Sequence, residues 1–390
     1  MDEIMTHAFN FRMPREVIFE AGCSALAVKK AEALGAKRPV FITGKSMAKS
    51  AALAALLDDA KAAGMAPLHW GRVAPEPPAS LLYEAAREIS EAEGDCLIAV
   101  GGGSSMDFAK MTAVLAKYPE IKISEMIGME KVPARGLPTI MIPTTAGSGS
   151  EVSAVAVFSF EEEKTKKGVA SGCLVADAAL VDPMLTLDLP AGITAAAGMD
   201  ALIHAVESYL SLGTNALTQD LALAAIRKIS ANLARCVREP HDLGARTAQC
   251  YGSLTAGMAF AMAGTAGVHA LAYPLGGEFH IPHGEANTAM LRWVMEYNLD
   301  GCSEKFIGVA EAMGVKTQGL SADQSAKAAL EAMTALGEEC GVKTRLRDFS
   351  IPKEACARMA SAAMKETRLI NNNPRPLTEE SVRAIYERAW

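Results

Sequence analysis

What this sequence lacks narrows it first. It has no run of basic residues: Lys plus Arg count 38 against 45 Asp plus Glu, a net charge of −7 over 390 residues. A mildly acidic chain without a basic stripe is a poor nucleic-acid binder, although local sites can still hold small anions. Its 8 cysteines are scattered and no pair has CxxC spacing. That reads as reduced thiols in a cytoplasmic protein, not as a disulfide frame. The opening MDEIMTHAFNFRMP carries acids and no apolar h-region, so no signal peptide is expected. There is no internal repeat, no low-complexity linker and no GxGxxG, and no GK[ST] follows the glycines at 101–103 to make a Walker motif. Residues 247–277 contain no Lys, Arg, Asp or Glu. Length alone would permit a membrane span there. The run is mostly Ala, Gly, Thr and Ser, however, and holds His269 and Pro274, so a buried, tightly packed helical region is expected and no membrane.

What is present is a large, core-forming chain. Hydrophobic residues make up 50% and charged residues 21%, which excludes disorder. At roughly 150 residues per domain the length predicts two domains, perhaps three, with core enough to fold without a metal or a disulfide. The first half alternates. PVFITG (39–44), PLHWGRV (67–73), DCLIAV (95–100) and PTIMIP (138–143) read as strands, and 173–183 as the last strand region. Residues 50–63 and 80–93 between them read as helices, the second amphipathic with Leu81, Leu82, Ala85 and Ile89 on one face. This alternation predicts a parallel sheet with helices on both faces. Beyond Pro190 the pattern is helical, over 194–211, 215–236, 245–263, 285–298, 303–313, 322–340, 353–365 and 378–389. The expected division is an α/β domain over 1–187 and an all-helical domain over 188–390.

Three constellations could carry chemistry. Gly101-Gly102-Gly103-Ser104-Ser105-Met106-Asp107 follows a strand and opens a helix. Glycines let the backbone approach a phosphate, and the helix start adds N–H groups and positive dipole. The second, Pro143-Thr144-Thr145-Ala146-Gly147-Ser148-Gly149-Ser150-Glu151, also follows a strand. In an open α/β sheet that edge is where ligands bind. Either loop alone could be an ordinary turn; the two together point to a nucleotide. The third is the histidines. Asp200 and His204 are spaced i, i+4 and so share one helical face. His269 lies in the uncharged stretch, where a ring without a partner is costly to bury. His283 lies in PHG. One carboxylate and three imidazoles suit Fe2+ or Zn2+. His280 is placed to reach the same region, whereas His7, His69 and His241 read as structural.

Together these motifs resemble the iron-containing (group III) alcohol dehydrogenase family. The matching segments are GGGSSMD (101–107), PTTAGSGSE (143–151), VDPMLTLDLP (181–190), GMDALIHAVESYLS (198–211), GVHALAYPLGGEFHIPHGEAN (267–287) and NNPRPLT (372–378). They come in the family's order and span nearly the whole chain. The resemblance implies a dehydroquinate synthase-like fold: an α/β dinucleotide-binding domain, then an all-α domain holding metal and substrate. It implies Asp200, His204, His269 and His283 as metal ligands. Gly102, Gly103, Ser104 and Asp107 fall at the pyrophosphate and nicotinamide, Asp107 also being a candidate catalytic residue. Thr144, Thr145, Ser148 and Lys167 line the nucleotide, and Phe260 lies against the substrate. A homodimer or larger assembly is the family expectation.

Two departures bear on chemistry. Many members have a second histidine four residues after the equivalent of His269, and here that position is Tyr273. Proton exchange is then open to the Tyr273 phenol, to His280 or to a water at the metal. HALAYPLGG, HGEAN (283–287) and RLINNN (368–373) are similar to the 4-hydroxybutyrate dehydrogenase branch. NAD-preferring members often carry Asp after the first strand. Here Gly44 stands there, followed by Lys45, so a 2′-phosphate is not repelled and NADPH is expected to be accepted beside NADH. The implied activity is NAD(P)H-linked, metal-dependent reduction of a short-chain aldehyde, the metal polarising the carbonyl and nicotinamide C4 delivering hydride. The branch similarity suggests an anionic tail, as in succinate semialdehyde or sulfoacetaldehyde, with Arg292 and Arg368 as candidate clamps. The alternatives are a general short-chain alcohol or diol dehydrogenase, a hydroxyacid–oxoacid transhydrogenase, a lyase of the dehydroquinate synthase type and, from another class, a non-redox metal hydrolase. The last leaves both Gly/Thr loops without a task.

Overall fold

The computed structural model describes residues 9–75, 77–160 and 165–390, so His7 lies outside the described residues. The chain divides into two compact units, one of Arg12–Leu187 and one of Asp188–Trp390 with the described part of Met1–Phe11.

In the first unit the described elements are β1 (Glu16–Phe19), α1 (Ala27–Ala33), β2 (Pro39–Gly44), α2 (Ala51–Ala62), β3 (Leu68–Val73), α3 (Ala79–Glu91), β4 (Cys96–Gly101), α4 (Gly103–Lys117), α5 (Ile123–Met126), β5 (Gly128–Met129), β6 (Thr139–Pro143), β7 (Val155–Phe160), β8 (Thr165–Ala170) and β9 (Ala178–Val181). Six of these strands form one all-parallel sheet in the order β1-β9-β6-β4-β2-β3. Strand side chains alternate between its two faces. Val40, Ile42, Leu97, Ala99 and Met141 join the core under α3 and α4. Phe41, Ile98, Val100, Ile140 and Ile142 join the core under α1 and α2. Cover on both faces is why β2, β4 and β6 read as unbroken apolar runs. The order places β4 centrally, and the carboxyl ends of β4 and β6 lie side by side, Gly101 paired with Pro143.

A second sheet, β5-β8-β7, joins an antiparallel β7–β8 pair to the short β5. It has no counterpart in the strands read from sequence. The 173–183 region holds only one short strand, β9, after a 3-10 turn at Gly172–Leu174.

The second unit is helical: α6 (Ala191–Leu210), α7 (Ala216–Arg238), α8 (Leu243–Ala263), α9 (Gly267–Phe279), α10 (His283–Ala312), α11 (Ala322–Glu339), α12 (Ala355–Ala363), α13 (Thr367–Ile370) and α14 (Glu379–Ala389). Side-chain caps start several of them: Asn215 with Thr218, Ser321 with Gln324, Thr378 with Ser381. One expectation is refined. The uncharged stretch is two helices, α8 and α9, meeting at 102°, with Gly264 at φ 75° in the turn. Only a residue without Cβ turns there at no steric cost. Both helices are largely buried, and no single described helix is long and apolar enough to cross a membrane. The expected helices 285–298 and 303–313 are both present as the two parts of α10, separated by the non-helical Cys302 (φ −157°, ψ 37°).

Candidate metal centre and nucleotide loops

In the helical unit, Asp200 and His204 stand one turn apart on α6, His269 at the start of α9 and His283 at the start of α10. Each offers one donor atom, and the four lie within 4.8 Å of one another. The closest carboxylate approaches are 3.9 Å to His204, 3.8 Å to His269 and 3.8 Å to His283. These are distances for atoms around a common centre, longer than hydrogen bonds. Burial works against the Asp200 charge, but the three imidazoles and a hydrogen bond from Asn287 outweigh it and hold its carboxyl below the usual range. His269 Nε2 is buried and makes no hydrogen bond. A lone pair orphaned there is expensive, and a divalent cation among the four donors satisfies it. The donor set of three N and one O suits Fe2+ or Zn2+. The residues fit the ion.

Aromatic rings extend the group. Phe260 of α8 stacks on His204 at 4.4 Å between centroids, and His204 on His269 at 4.6 Å. Tyr273, one helical turn beyond His269 and buried, lies 6.3 Å from the His283 ring. Phe260 and Tyr273 therefore stand beside the donors. His280 does not join them. It ends α9 in the left-handed conformation, φ 55°, and its side chain is exposed. It is not among the four converging donors. The candidate clamps also go elsewhere. Arg292 donates to Thr334 Oγ1 on α11 at 3.3 Å and lies over Trp293. Arg368, on the single turn α13, is exposed. His241 is exposed, and His69 shares a 2.9 Å hydrogen bond with Thr43.

Two residues that the sequence reading passed over touch the donors. Asn287, one turn beyond His283, donates to Asp200 Oδ1 at 2.7 Å and lies 3.1 Å from His283 Nε2. Glu207, one turn beyond His204, lies 2.6 Å from His269 Nδ1. Their only sequence signal is that helical spacing.

In the α/β unit, the glycine turn and the hydroxyl loop are pressed together. A Cβ on Gly102 would meet Thr145 Oγ1 at 3.3 Å, and one on Gly103 would meet Ser148 Cβ at 2.8 Å. Thr144 N–H donates to the Gly101 carbonyl at 2.9 Å. The surface they share ends in the α4 N-terminus, which no side chain caps. A helix start beside a cradle without Cβ atoms fits a pyrophosphate. Gly44 ends β2, the neighbour of β4, and Lys45 follows it, exposed. Lys167, on β8, places its ammonium 5.0 Å over the Phe160 ring.

Asp107 is differently occupied from its expected catalytic task. Ser150 Oγ donates to its Oδ1 at 2.5 Å and Val157 N–H to its Oδ2 at 3.0 Å. Beside it is the buried Lys110, whose ammonium donates to Ser150 Oγ at 2.9 Å, the Ser153 carbonyl at 3.0 Å and the Val155 carbonyl at 2.9 Å. Burial pushes the Lys110 ammonium down, against the pull of Asp107 and Glu151. Burial likewise pushes the Asp107 carboxyl up, against Lys110 and its donors. The pair ties α4 to the hydroxyl loop and to β7. Asp107 thus holds the loops in place through its hydrogen bonds. Glu151 is fully buried, and burial pushes its carboxyl up to about 7.

The family models match where these sites lie. Residues 14–183 match the model for iron-containing alcohol dehydrogenase, and residues 194–390 the C-terminal model of the Fe-containing alcohol dehydrogenase family. The chain is 39% identical over 365 residues to long-chain-alcohol dehydrogenase 1 of Geobacillus thermodenitrificans, covering 93% of this chain and 92% of that one. A crystal structure of a 1,3-propanediol oxidoreductase superposes with a TM-score of 0.95 at 34% identity, covering 98% of this chain and 100% of that one. A sulfoacetaldehyde reductase from Bifidobacterium kashiwanohense, solved with NAD+, superposes with a TM-score of 0.87 at 28% identity, covering 98% and 99%. The chain belongs to the iron-containing alcohol dehydrogenase family: it is an oxidoreductase of alcohols and aldehydes that works with a metal ion and a nicotinamide nucleotide.

Proposed function

We propose that this enzyme interconverts a small uncharged alcohol and its aldehyde, with Asp200, His204, His269 and His283 as the metal ligands. The observation that carries the reading is the convergence of these four donors within 4.8 Å around a His269 Nε2 that has no other partner. A divalent ion bound there supplies Lewis acidity to a substrate oxygen, and the nucleotide supplies or takes up the hydride. Asn287 orients the Asp200 carboxylate by its 2.7 Å hydrogen bond. Phe260, stacked on His204, offers the substrate an apolar wall. The Tyr273 phenol is the group beside the donors that holds and moves the proton. Gly102, Gly103, Ser104, Thr144, Thr145 and Ser148 hold the nucleotide, and Lys45 admits the 2′-phosphate of NADPH. The α/β unit is then the nucleotide-binding domain and the helical unit the metal- and substrate-binding domain, and a homodimer is the expected assembly.

An uncharged substrate is preferred because Arg292 is engaged at Thr334 and Trp293 and Arg368 lies exposed on α13. The long-chain-alcohol and 1,3-propanediol relatives act on uncharged molecules by their names. A second reading, an anionic short aldehyde, is favoured by the likeness to sulfoacetaldehyde reductase and by the HALAYPLGG and HGEAN segments. The test is oxidation of NADH and NADPH with butyraldehyde, succinate semialdehyde and sulfoacetaldehyde, on enzyme stripped of metal and reloaded with Fe2+ or Zn2+. A higher kcat/KM for butyraldehyde supports the first reading; a preference of tenfold or more for an anionic aldehyde replaces it by the second. Stoichiometric nucleotide surviving purification, with no turnover of free NAD(P)H, would point to the transhydrogenase.

A further inference from the structure

Glu207 is a buried carboxylate with no assigned task. It projects from α6, one turn past His204, toward the start of α9. Its Oε2 accepts from Ala266 N–H at 3.0 Å and its Oε1 from Val268 N–H at 2.6 Å. These are N–H groups at the start of a helix whose own N-cap residue, Ala266, provides no side-chain cap. The side chain of one helix thus caps another. The same Oε2 lies 2.6 Å from His269 Nδ1.

An ionised carboxylate only accepts hydrogen bonds, so the Nδ1 it faces carries the proton. The neutral imidazole has one proton to place, which leaves Nε2 with its lone pair. Nε2 is the nitrogen that is buried, without a partner, 3.8 Å from Asp200 Oδ1. We propose that Glu207 is a positioning residue for the metal: by accepting the His269 Nδ1 proton while capping α9, it fixes the tautomer and the ring orientation that aim Nε2 at the ion. The inference rests on His269 being a metal ligand, as read above. Partners of this kind typically change metal affinity by about 10- to 100-fold when removed.

A purely structural role, the cap alone, is separable from this one. Glu207→Ala removes the acceptor of the two α9 N–H groups and that of the imidazole together. Glu207→Ala with Ala266→Asp restores a carboxylate at the N-cap and leaves His269 Nδ1 without its acceptor. The Zn2+ affinity of metal-free protein, by competition with a chromophoric chelator, is measured beside the melting temperature of each metal-free form. His283→Ala is run in parallel. The expected result is that Glu207→Ala binds Zn2+ at least about tenfold more weakly. The double variant should recover melting temperature but not Zn2+ affinity. A double variant that binds Zn2+ like the wild type, while His283→Ala has lost it, overturns the role of Glu207 and leaves the ligand set standing. Zn2+ binding unaffected by His283→Ala overturns the ligand set and this inference with it. The wild type alone carries one more test: 15N spectra of the metal-free imidazoles should show His269 protonated at Nδ1, and protonation at Nε2 overturns the proposal even if neither variant folds.

Discussion

Replacing Glu151 by Gln should change how the α/β unit responds to pH. The carboxyl is fully buried behind the hydroxyl loop, and burial raises it from 4.5 to about 7 despite the attraction of Lys110. Unfolded, it returns to the ordinary value. Below pH 4.5 both states hold the proton and the group carries no penalty; between 4.5 and about 7 the unfolded chain releases it and the folded one does not, so stability falls as pH rises, and above about 7 the loss is complete. At about 1.4 kcal/mol per unit this displacement corresponds to roughly 3 kcal/mol. Glutamine has nearly the same shape and does not titrate. The wild type should therefore lose about 3 kcal/mol relative to Glu151→Gln between pH 4.5 and pH 8. The assay is urea unfolding followed by Trp70 emission, with Trp293 and Trp390 replaced by Phe. Trp70 stacks on Phe108 of α4 at 4.8 Å and so reports the unit that holds Glu151. A stability difference that stays constant over this range, or that favours the wild type as pH rises, refutes the burial argument.

Three further outcomes are expected. Lys110→Met leaves Asp107 buried without its cation, so the α/β unit should lose about 3–5 kcal/mol in the same urea assay, with a raised KM for nucleotide because the hydroxyl loop loses its tie; a loss under about 1 kcal/mol with unchanged KM contradicts that role. Tyr273→Phe should lower kcat by about 100-fold or more without changing metal content, as loss of a proton-transferring group does, and an unchanged kcat would return proton exchange to solvent. Lys45→Asp should cut kcat/KM for NADPH by about 5- to 10-fold, the worth of about 1 kcal/mol for an exposed charge, and leave NADH unaffected; equal effects on both nucleotides remove the 2′-phosphate from its task.

The sequence showed most clearly what depends on local periodicity. β2, β4 and β6 were legible because strands covered on both faces have no polar side, and α3 because its apolar face repeats at helical spacing. β1 was missed because four residues at a sheet edge carry too little pattern. β7 and β8 were missed because their partners are each other, with partly exposed side chains and a charged connection. Among the donors, Asp200 and His204 share a face by helical spacing alone, and His269 stood out by lying in an uncharged stretch. Which groups surround them was not legible. Glu207 reads as an ordinary helix glutamate until α9, 62 residues on in contact distance along the chain, brings His269 against it. His280 is three residues from His283 in sequence, but it ends α9 as an exposed residue in the left-handed conformation, which no local pattern announces. Arg292 is committed by α11, whose arrival no local pattern announces. Asp107 and Lys110 share a face of α4, yet their task depends on Ser150, Ser153 and Val157, held by the loop and strand that follow β6.

The central claim, redox chemistry that depends on an ion held by Asp200, His204, His269 and His283, is tested most directly by one measurement: metal content and NAD(P)H-dependent aldehyde reduction of the wild type and His269→Ala, each stripped and then reloaded with Fe2+. The account predicts about one bound ion per chain and restored turnover in the wild type, as four converging protein donors imply, and neither in His269→Ala. Full turnover by His269→Ala, or by the stripped wild type, would contradict it.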